Sequence, residues 1–331
     1  MTKISVCIPV KNEDPELLIE VLHSITFGCP LDSLEIILYN DGSEHPNGTS
    51  LSLEEYNFPL RIKNYLKIIN NKNQYGVGYA FDRCVEQAHG DILVLCGADI
   101  FPQKGWFYDV LHAVKDKEIG CCTSVGLQPS QYDINKPGMV SRYGARLMYT
   151  YTVDDLPKKS ELREDPDFKD ILEAKWAAKK SDEPYEIDCL LGAFYFVKKS
   201  FYQEIGGFDT IEGRRFHGHK YYGSLEPFLS LKARVYNGRS VVYPDIRVGH
   251  VFGRLEDDAI YSARAIREDC KQWNKLWIAH TMLDDNFRDE VINFPNHSLS
   301  FSQAQVWIKQ HWDVIQEKRR YNKIHGKLIS K

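Results

Sequence analysis

The stretches ISVCIPVKNE (residues 4–13), LEIILYNDGS (34–43) and NKNQYGVGYAFDRCVEQAHGDILVLCGAD (71–99) decide the fold. This part of the chain carries short, continuous apolar runs at 4–9, 34–39, 66–69 and 91–96, with helix-like patterns at 14–24 and 76–89. Asp14 followed by Pro15 is a helix start: an N-cap acceptor, then a residue whose missing N–H costs nothing in the first turn. Apolar strands without polar alternation, interleaved with helices, predict a mostly parallel α/β sheet covered on both faces. Such sheets bind ligands beyond the carboxyl ends of their strands. There the sequence places Pro9-Val10-Lys11-Asn12-Glu13, then Asn40-Asp41-Gly42-Ser43, then Gly97-Ala98-Asp99. No GxGxxG follows the first strand and no GxxxxGK[ST] occurs, which argues against ordinary dinucleotide and P-loop sites. Gly76-Val77-Gly78, taken alone, is common helix-entry chemistry.

Working outward, 331 residues suffice for one large α/β domain with an extension. With 43% hydrophobic and 27% charged residues, bulk disorder is excluded. Forty-two Lys and Arg against 46 Asp and Glu leave a net charge of −4, so the whole molecule is not a polycation built to hold nucleic acid. No apolar run approaches the roughly 18–20 residues of a membrane span, and the first apolar run is too short for a secretory leader. The 8 cysteines are scattered, with no CxxC pair, which favours free thiols over zinc or a disulfide framework. The expectation is a soluble, cytoplasmic protein.

A second block spans 190–250. It contains the apolar LLGAFYFVKK (190–199), a turn at Gly206-Gly207-Phe208-Asp209, the basic loop from Gly213 to Lys220, a helical stretch at 225–236 and a strand ending at His250. Between the blocks, residues 154–188 are charged at 19 of 35 positions, read as a solvated insert or an acceptor-facing lid with Trp176 and Tyr185 as candidate contacts. From 255 the pattern is helical, at 259–282 and 300–323, separated by a Pro/Asn/His stretch and ending in a basic tail.

The ordered spacing of the three rim motifs resembles the nucleotide-sugar half of a glycosyltransferase of family 2 with the GT-A fold. LLGAFYFVKKSFYQEIGGFD (190–209) resembles that family's segment beneath the acceptor. YYGSLEPFLSLKARVYNG (221–238) aligns with its "WGGEDxELSLRxxxxG", and VGHVF (248–252) is similar to the metal-binding histidine segment of the polypeptide N-acetylgalactosaminyltransferases. The resemblance covers about residues 3–254. It implies a catalytic domain over 1–254, with the insert near 154–188, and a helical C-terminal extension over 255–331.

The resemblance implies nucleotide-sugar contacts from Pro9, Val10, Lys11, Glu13, Asp41, Gly76, Ala98 and Asp99, with Asp41 accepting a hydrogen bond from the base. Lys11 stands where an aromatic is common. Gly97-Ala98-Asp99 replaces the usual Asp-x-Asp, so the resemblance keeps a divalent cation, Mn²⁺ or Mg²⁺, on Asp99 and His250 and weakens ribose recognition at Gly97. Glu226 falls at the general base of inverting members, with Leu225 in the place of a preceding acid. Asp82 and Phe81 depart from the family pattern and are given no ligand contact. The expected activity is transfer of a sugar, from a UDP-sugar, to an acceptor hydroxyl of a glycan, a protein or a hydroxymethylated nucleic acid. A retaining transferase of the polypeptide N-acetylgalactosaminyltransferase type is the competing enzyme reading. A non-catalytic nucleotide-sugar-binding protein is the competitor from another class.

Overall fold

The computed structural model describes residues 3–127, 141–147, 172, 174–191, 194–214, 216–251, 259–293 and 298–330. The chain opens with β1 (Ile4–Val10), α1 (Pro15–Thr26), β2 (Leu34–Asp41), the short α2 (Leu60–Lys63), β3 (Leu66–Asn71), α3 (Val77–Gln87) and β4 (Ile92–Cys96). Then come β5 (Ile100–Pro102), α4 (Trp106–Ala113), β6 (Glu118–Leu127), β7 (Ser141–Arg142), β8 (Ala145–Leu147), β9 (Ala174–Trp176) and β10 (Tyr185–Ile187). The second block holds β11 (Phe194–Lys198), α5 (Lys199–Ile205), α6 (Leu225–Val235) and β12 (Arg239–Val251), followed by α7 (Ala259–Met282), α8 (Asp285–Asn293), α9 (Leu299–Gln310) and α10 (Trp312–His325).

The main sheet runs β10-β12-β6-β11-β4-β1-β2-β3, with β5 on β12 and β7 on β6. Strands β4, β1, β2 and β3 are parallel, as the sequence predicts. β11 departs from that expectation, entering antiparallel between β4 and β6, while β12 pairs parallel with β6. The sheet is therefore mixed. Both faces are buried, which is why the strands read as continuous apolar runs. Ile4, Val6, Ile8 and Val10 of β1 pack with Leu18, Val21, Leu22 and Ile25 of α1, whereas Cys7 points the other way, into a core with Ala80, Phe81 and Cys84 of α3. The Asp14 side chain accepts hydrogen bonds from the N–H groups of Glu16 (2.8 Å) and Leu17 (3.2 Å), so α1 starts where the Asp-Pro pair predicts.

The C-terminal helices belong to the same core. Trp273, Leu276, Trp277 and Ile278 of α7 pack with Phe228, Leu229 and Leu231 of α6. The basic tail is not wholly solvated: Arg319 donates to the carbonyls of His280 (2.8 Å) and Leu283 (2.7 Å), satisfying groups at the end of α7, and Lys318 lies 2.6 Å from the Asp209 carboxylate. The expected spacer after 282 contains α8, and the expected helix over 300–323 breaks at His311, whose ring stacks on Phe216 at 4.6 Å. Residues 154–171 and 173 of the charged insert lie outside the described residues, and the remainder supplies β9 and β10.

The Gly206–Asp209 turn is held by buried charge. Asp209 accepts from the buried Lys232 ammonium as well as from Lys318, and these two cations outweigh burial to hold its carboxyl below the usual range. Asp82, fully enclosed, accepts from Tyr202 Oη (2.7 Å) and the N–H groups of Phe208 (3.0 Å) and Thr210 (3.1 Å). These bonds tie α3 to the turn.

Two buried histidines give a pH test of this packing. Burial pushes His219 and His280 down to about 4, Arg288 and Arg319 adding to the effect at His280. The unfolded chain protonates these rings below about 6.5 and the folded chain only near 4, so the unfolded state binds more protons in this window. Stability should then fall as pH drops from 6.5 toward 4, by about 1.4 kcal/mol per unit per histidine. Urea unfolding at pH 6.5 and 5 should show this slope and H280Q should reduce it; an unchanged slope in the variant would contradict the assignment.

Candidate active site

At the carboxyl end of the parallel strands lies a cavity of about 350 Å³. One wall comes from the strand ends and α3: Pro9, Glu13, Phe81, Gly97, Ala98 and Asp99. The facing wall is built by the second block: Leu191, Tyr195, Leu225, Glu226 and His250. Trp176 and Tyr222, 37% and 57% exposed, complete its lining.

Backbone pairing places the two charged partners. β12 runs antiparallel to β5, with His250 opposite Ile100, and the Val251 N–H donates to the Asp99 carbonyl at 3.1 Å. His250 Nε2 thereby stands 3.1 Å from Asp99 Oδ2, although 151 residues separate them. Glu226 occupies the first turn of α6, where unpaired N–H groups favour a carboxylate. Its Oε1 accepts a hydrogen bond from Tyr195 Oη at 3.0 Å. Enclosure raises its carboxyl above the usual range, opposed by the α6 backbone, Tyr195 and the nearby His250.

The turn that carries Glu226 to this position is tied to the first block. The Val77 N–H donates to the Tyr221 carbonyl (2.8 Å) and the Tyr221 N–H to that of Tyr75 (3.2 Å). Between them Gly76 adopts φ +105°, and a Cβ there would lie 2.0 Å from Tyr221 Cα. Gly76 is thus a close-approach glycine, a constraint its helix-entry pattern concealed.

The remaining expected contacts divide. Pro9, Glu13, Ala98, Asp99, Glu226 and His250 meet in the cavity, while Val10, Lys11, Asp41 and Gly76 are not on its wall. Val10 points into the core, as strand alternation requires. The Lys11 ammonium donates to the Gly42 carbonyl. Asp41 is buried, and its two oxygens accept from the N–H groups of Tyr75 and Gly76, each at 2.8 Å. Burial raises its carboxyl despite those bonds and Lys11. The carboxylate expected to hold a base also holds the loop that docks Tyr221, because that loop brings two backbone donors to the end of β2.

The sequence reading missed Tyr195 and Tyr222 and dismissed Phe81. An aromatic at an inward position of β11 was the available signal for Tyr195. The end of the basic loop packs inward while Arg214 is exposed: His217 contacts the Asp209 carbonyl, His219 bonds the Gly223 carbonyl (3.0 Å), and the Lys220 ammonium sits 3.9 Å over Phe216 and 3.7 Å over Trp307.

The family resemblance of the sequence implies a divalent cation, and the donor set fits one. Two ligands bound cis at about 2.1 Å stand about 3.0 Å apart, close to the 3.1 Å between Asp99 Oδ2 and His250 Nε2. No cluster of three or more His, Cys, Asp or Glu residues suited to a metal exists among the described residues, so the rest of the coordination would come from ligand oxygens and water. Among the described residues, too, no helix is long and apolar enough to cross a membrane.

Residues 5–163 match the family model described as glycosyl transferase family 2. Over that stretch the chain is similar to family 2 glycosyltransferases. It is 26% identical over 251 residues to a probable N-acetylgalactosaminyltransferase 8 of Caenorhabditis elegans, covering 75% of this chain and 54% of that protein. It is 23% identical to polypeptide N-acetylgalactosaminyltransferase 8 of Drosophila melanogaster, over 95% of this chain and 45% of that one. The chain thus spans about half the length of these relatives. The crystal structure of GalNAc-T7 with UDP, GalNAc and Mn²⁺ matches all of this chain and 60% of its own, with a TM-score of 0.64 at 16% identity. The chain therefore has the GT-A fold.

Because a Cβ at Gly76 collides with backbone, G76A should destabilise the protein by roughly 2–4 kcal/mol and should loosen the loop carrying Glu226. Chemical denaturation and hydrogen exchange at 219–226 check this; wild-type values in both would show that the close approach does not matter.

Proposed function

We propose that this chain is a metal-dependent, inverting glycosyltransferase that moves a sugar from a nucleotide-sugar donor, a UDP-sugar, to an acceptor hydroxyl. In this reading residues 1–254 form the catalytic unit and 255–331 buttress it. The observation that carries the proposal is the meeting of Asp99, His250 and Glu226 in one cavity at the carboxyl end of a parallel sheet.

Electrostatics supports it. Glu13, Asp99 and Glu226 all line the cavity, a poor site for a diphosphate unless a cation accompanies it. Asp99 and His250 would hold that cation, which when bound would neutralise charge developing on the leaving nucleoside diphosphate. The chain's own residues do the rest. Pro9, Glu13 and the Gly97–Asp99 segment bound the donor side; Glu226, oriented by Tyr195, faces them from α6. The acceptor oxygen forms the new bond to the anomeric carbon, its proton passes to the Glu226 carboxylate, and the bond from that carbon to the phosphate oxygen breaks with its electron pair leaving on the diphosphate.

Turnover of UDP-sugars with Mn²⁺ tests this. E226Q should lower kcat by about 100-fold or more while donor binding persists, and D99A should abolish dependence on the cation. Product NMR should show the anomer opposite to the donor's. Wild-type rates in both variants would refute the assigned roles, and a retained anomer would remove Glu226 as base.

A further inference from the structure

Resting on that reading of the site, we propose that the acceptor is a neutral pyranoside, held by its apolar face against Trp176 and Tyr222. These two aromatics lie on the same cavity as Glu226, and they are its most solvent-exposed lining side chains, so they meet an incoming molecule first. They arrive from separate elements: Trp176 ends β9, in a small sheet apart from the main one, and Tyr222 precedes α6 by three residues. Trp176 is itself held in place, with the Arg142 guanidinium 5.1 Å from its ring centre. Tyr222 sits between Tyr221 (φ 48°) and Gly223 (φ 92°), in a turn whose backbone is bonded to the first block. Both rings therefore stand on fixed supports.

The chemistry of this wall selects the ligand. A pyranose presents a face of C–H bonds, each with partial positive charge, and these match the negative face of an aromatic ring. Leu191 and Leu225 extend the apolar surface, and Leu225 stands directly before the proposed base, Glu226. A phosphorylated or polynucleotide acceptor would bring negative charge against Glu226, with Asp99 and Glu13 across the cavity. Among the described residues the basic loop puts no charge on this wall: His219 and Lys220 are buried, Lys220 beneath Phe216 and Trp307, and the exposed Arg214 is not part of the cavity lining. A sugar stacked here would present a hydroxyl toward Glu226, which takes its proton as the oxygen bonds to the anomeric carbon and the nucleoside diphosphate departs with the electron pair of the broken bond.

The experiment uses the full chain, Mn²⁺ and the nucleotide sugar that stabilises it most, with three acceptor sets: methyl pyranosides, glycerol-phosphate oligomers together with hydroxymethylated DNA, and Ser/Thr peptides. Transfer to a methyl pyranoside is expected, with W176A and Y222A each raising the acceptor KM by about tenfold or more at little change in kcat and with W176F restoring much of the loss. Transfer only to the anionic set or only to peptides, or an acceptor KM unaltered in both alanine variants, overturns the proposal while the transferase reading stands. Failure of the wild-type chain to bind any nucleotide sugar, measured by calorimetry with Mn²⁺, overturns the transferase reading itself and this proposal with it.

Discussion

The site depends on a backbone junction. Tyr75 and Val77, at the entry to α3, exchange hydrogen bonds with Tyr221, and Asp41 fixes the same loop through the N–H groups of Tyr75 and Gly76. Tyr221 lies five residues before Glu226, so this junction sets where α6 begins relative to the ends of β1 and β4. Positive φ at Tyr221, Gly223 and Ser224 shows how tightly the chain turns to comply. Such conformations persist only where surrounding structure over-determines them. Here the surroundings are Asn274, which bonds the backbone of Lys220 and Gly223, and the buried His219.

The C-terminal helices follow from the same need. The turn at 206–209 and the loop at 216–220 carry charged groups that must be buried beneath the site. Lys232 and Lys318 neutralise Asp209, and Phe216 and Trp307 cover Lys220. Removing one partner from such a buried pair strands the other charge at a cost of about 3–5 kcal/mol. The basic tail and α9 are thus parts of the support, contributed from the far end of the chain.

Legibility differed by segment for physical reasons. Strands β1, β2 and β4 and helices α1 and α3 were readable because burial on both faces forces continuous apolar runs and because capping chemistry is local. The antiparallel insertion of β11 was not, since an apolar run carries no mark of strand direction. The break at His311 was hidden as well, because it follows from ring stacking on Phe216, 95 residues away. The loop from 213 to 220 read as basic; its histidines and lysine pack against aromatics whose proximity has no local signature.

The order of the rim motifs pointed to a family of glycosyltransferases and nominated Asp99, and the 221–238 and 248–252 segments nominated Glu226 and His250, because side-chain type and spacing are properties of the chain itself. Asp41 shows the boundary of that reasoning. A carboxylate at a strand end can address a ligand or the backbone, and only the approach of the 75–76 loop shows that each of its oxygens accepts a backbone N–H. The 3.1 Å approach of His250 to Asp99, the Tyr195 hydroxyl on Glu226 and the aromatic lining at Trp176 and Tyr222 likewise arise from pairing between distant segments, which geometry decides and local sequence does not record.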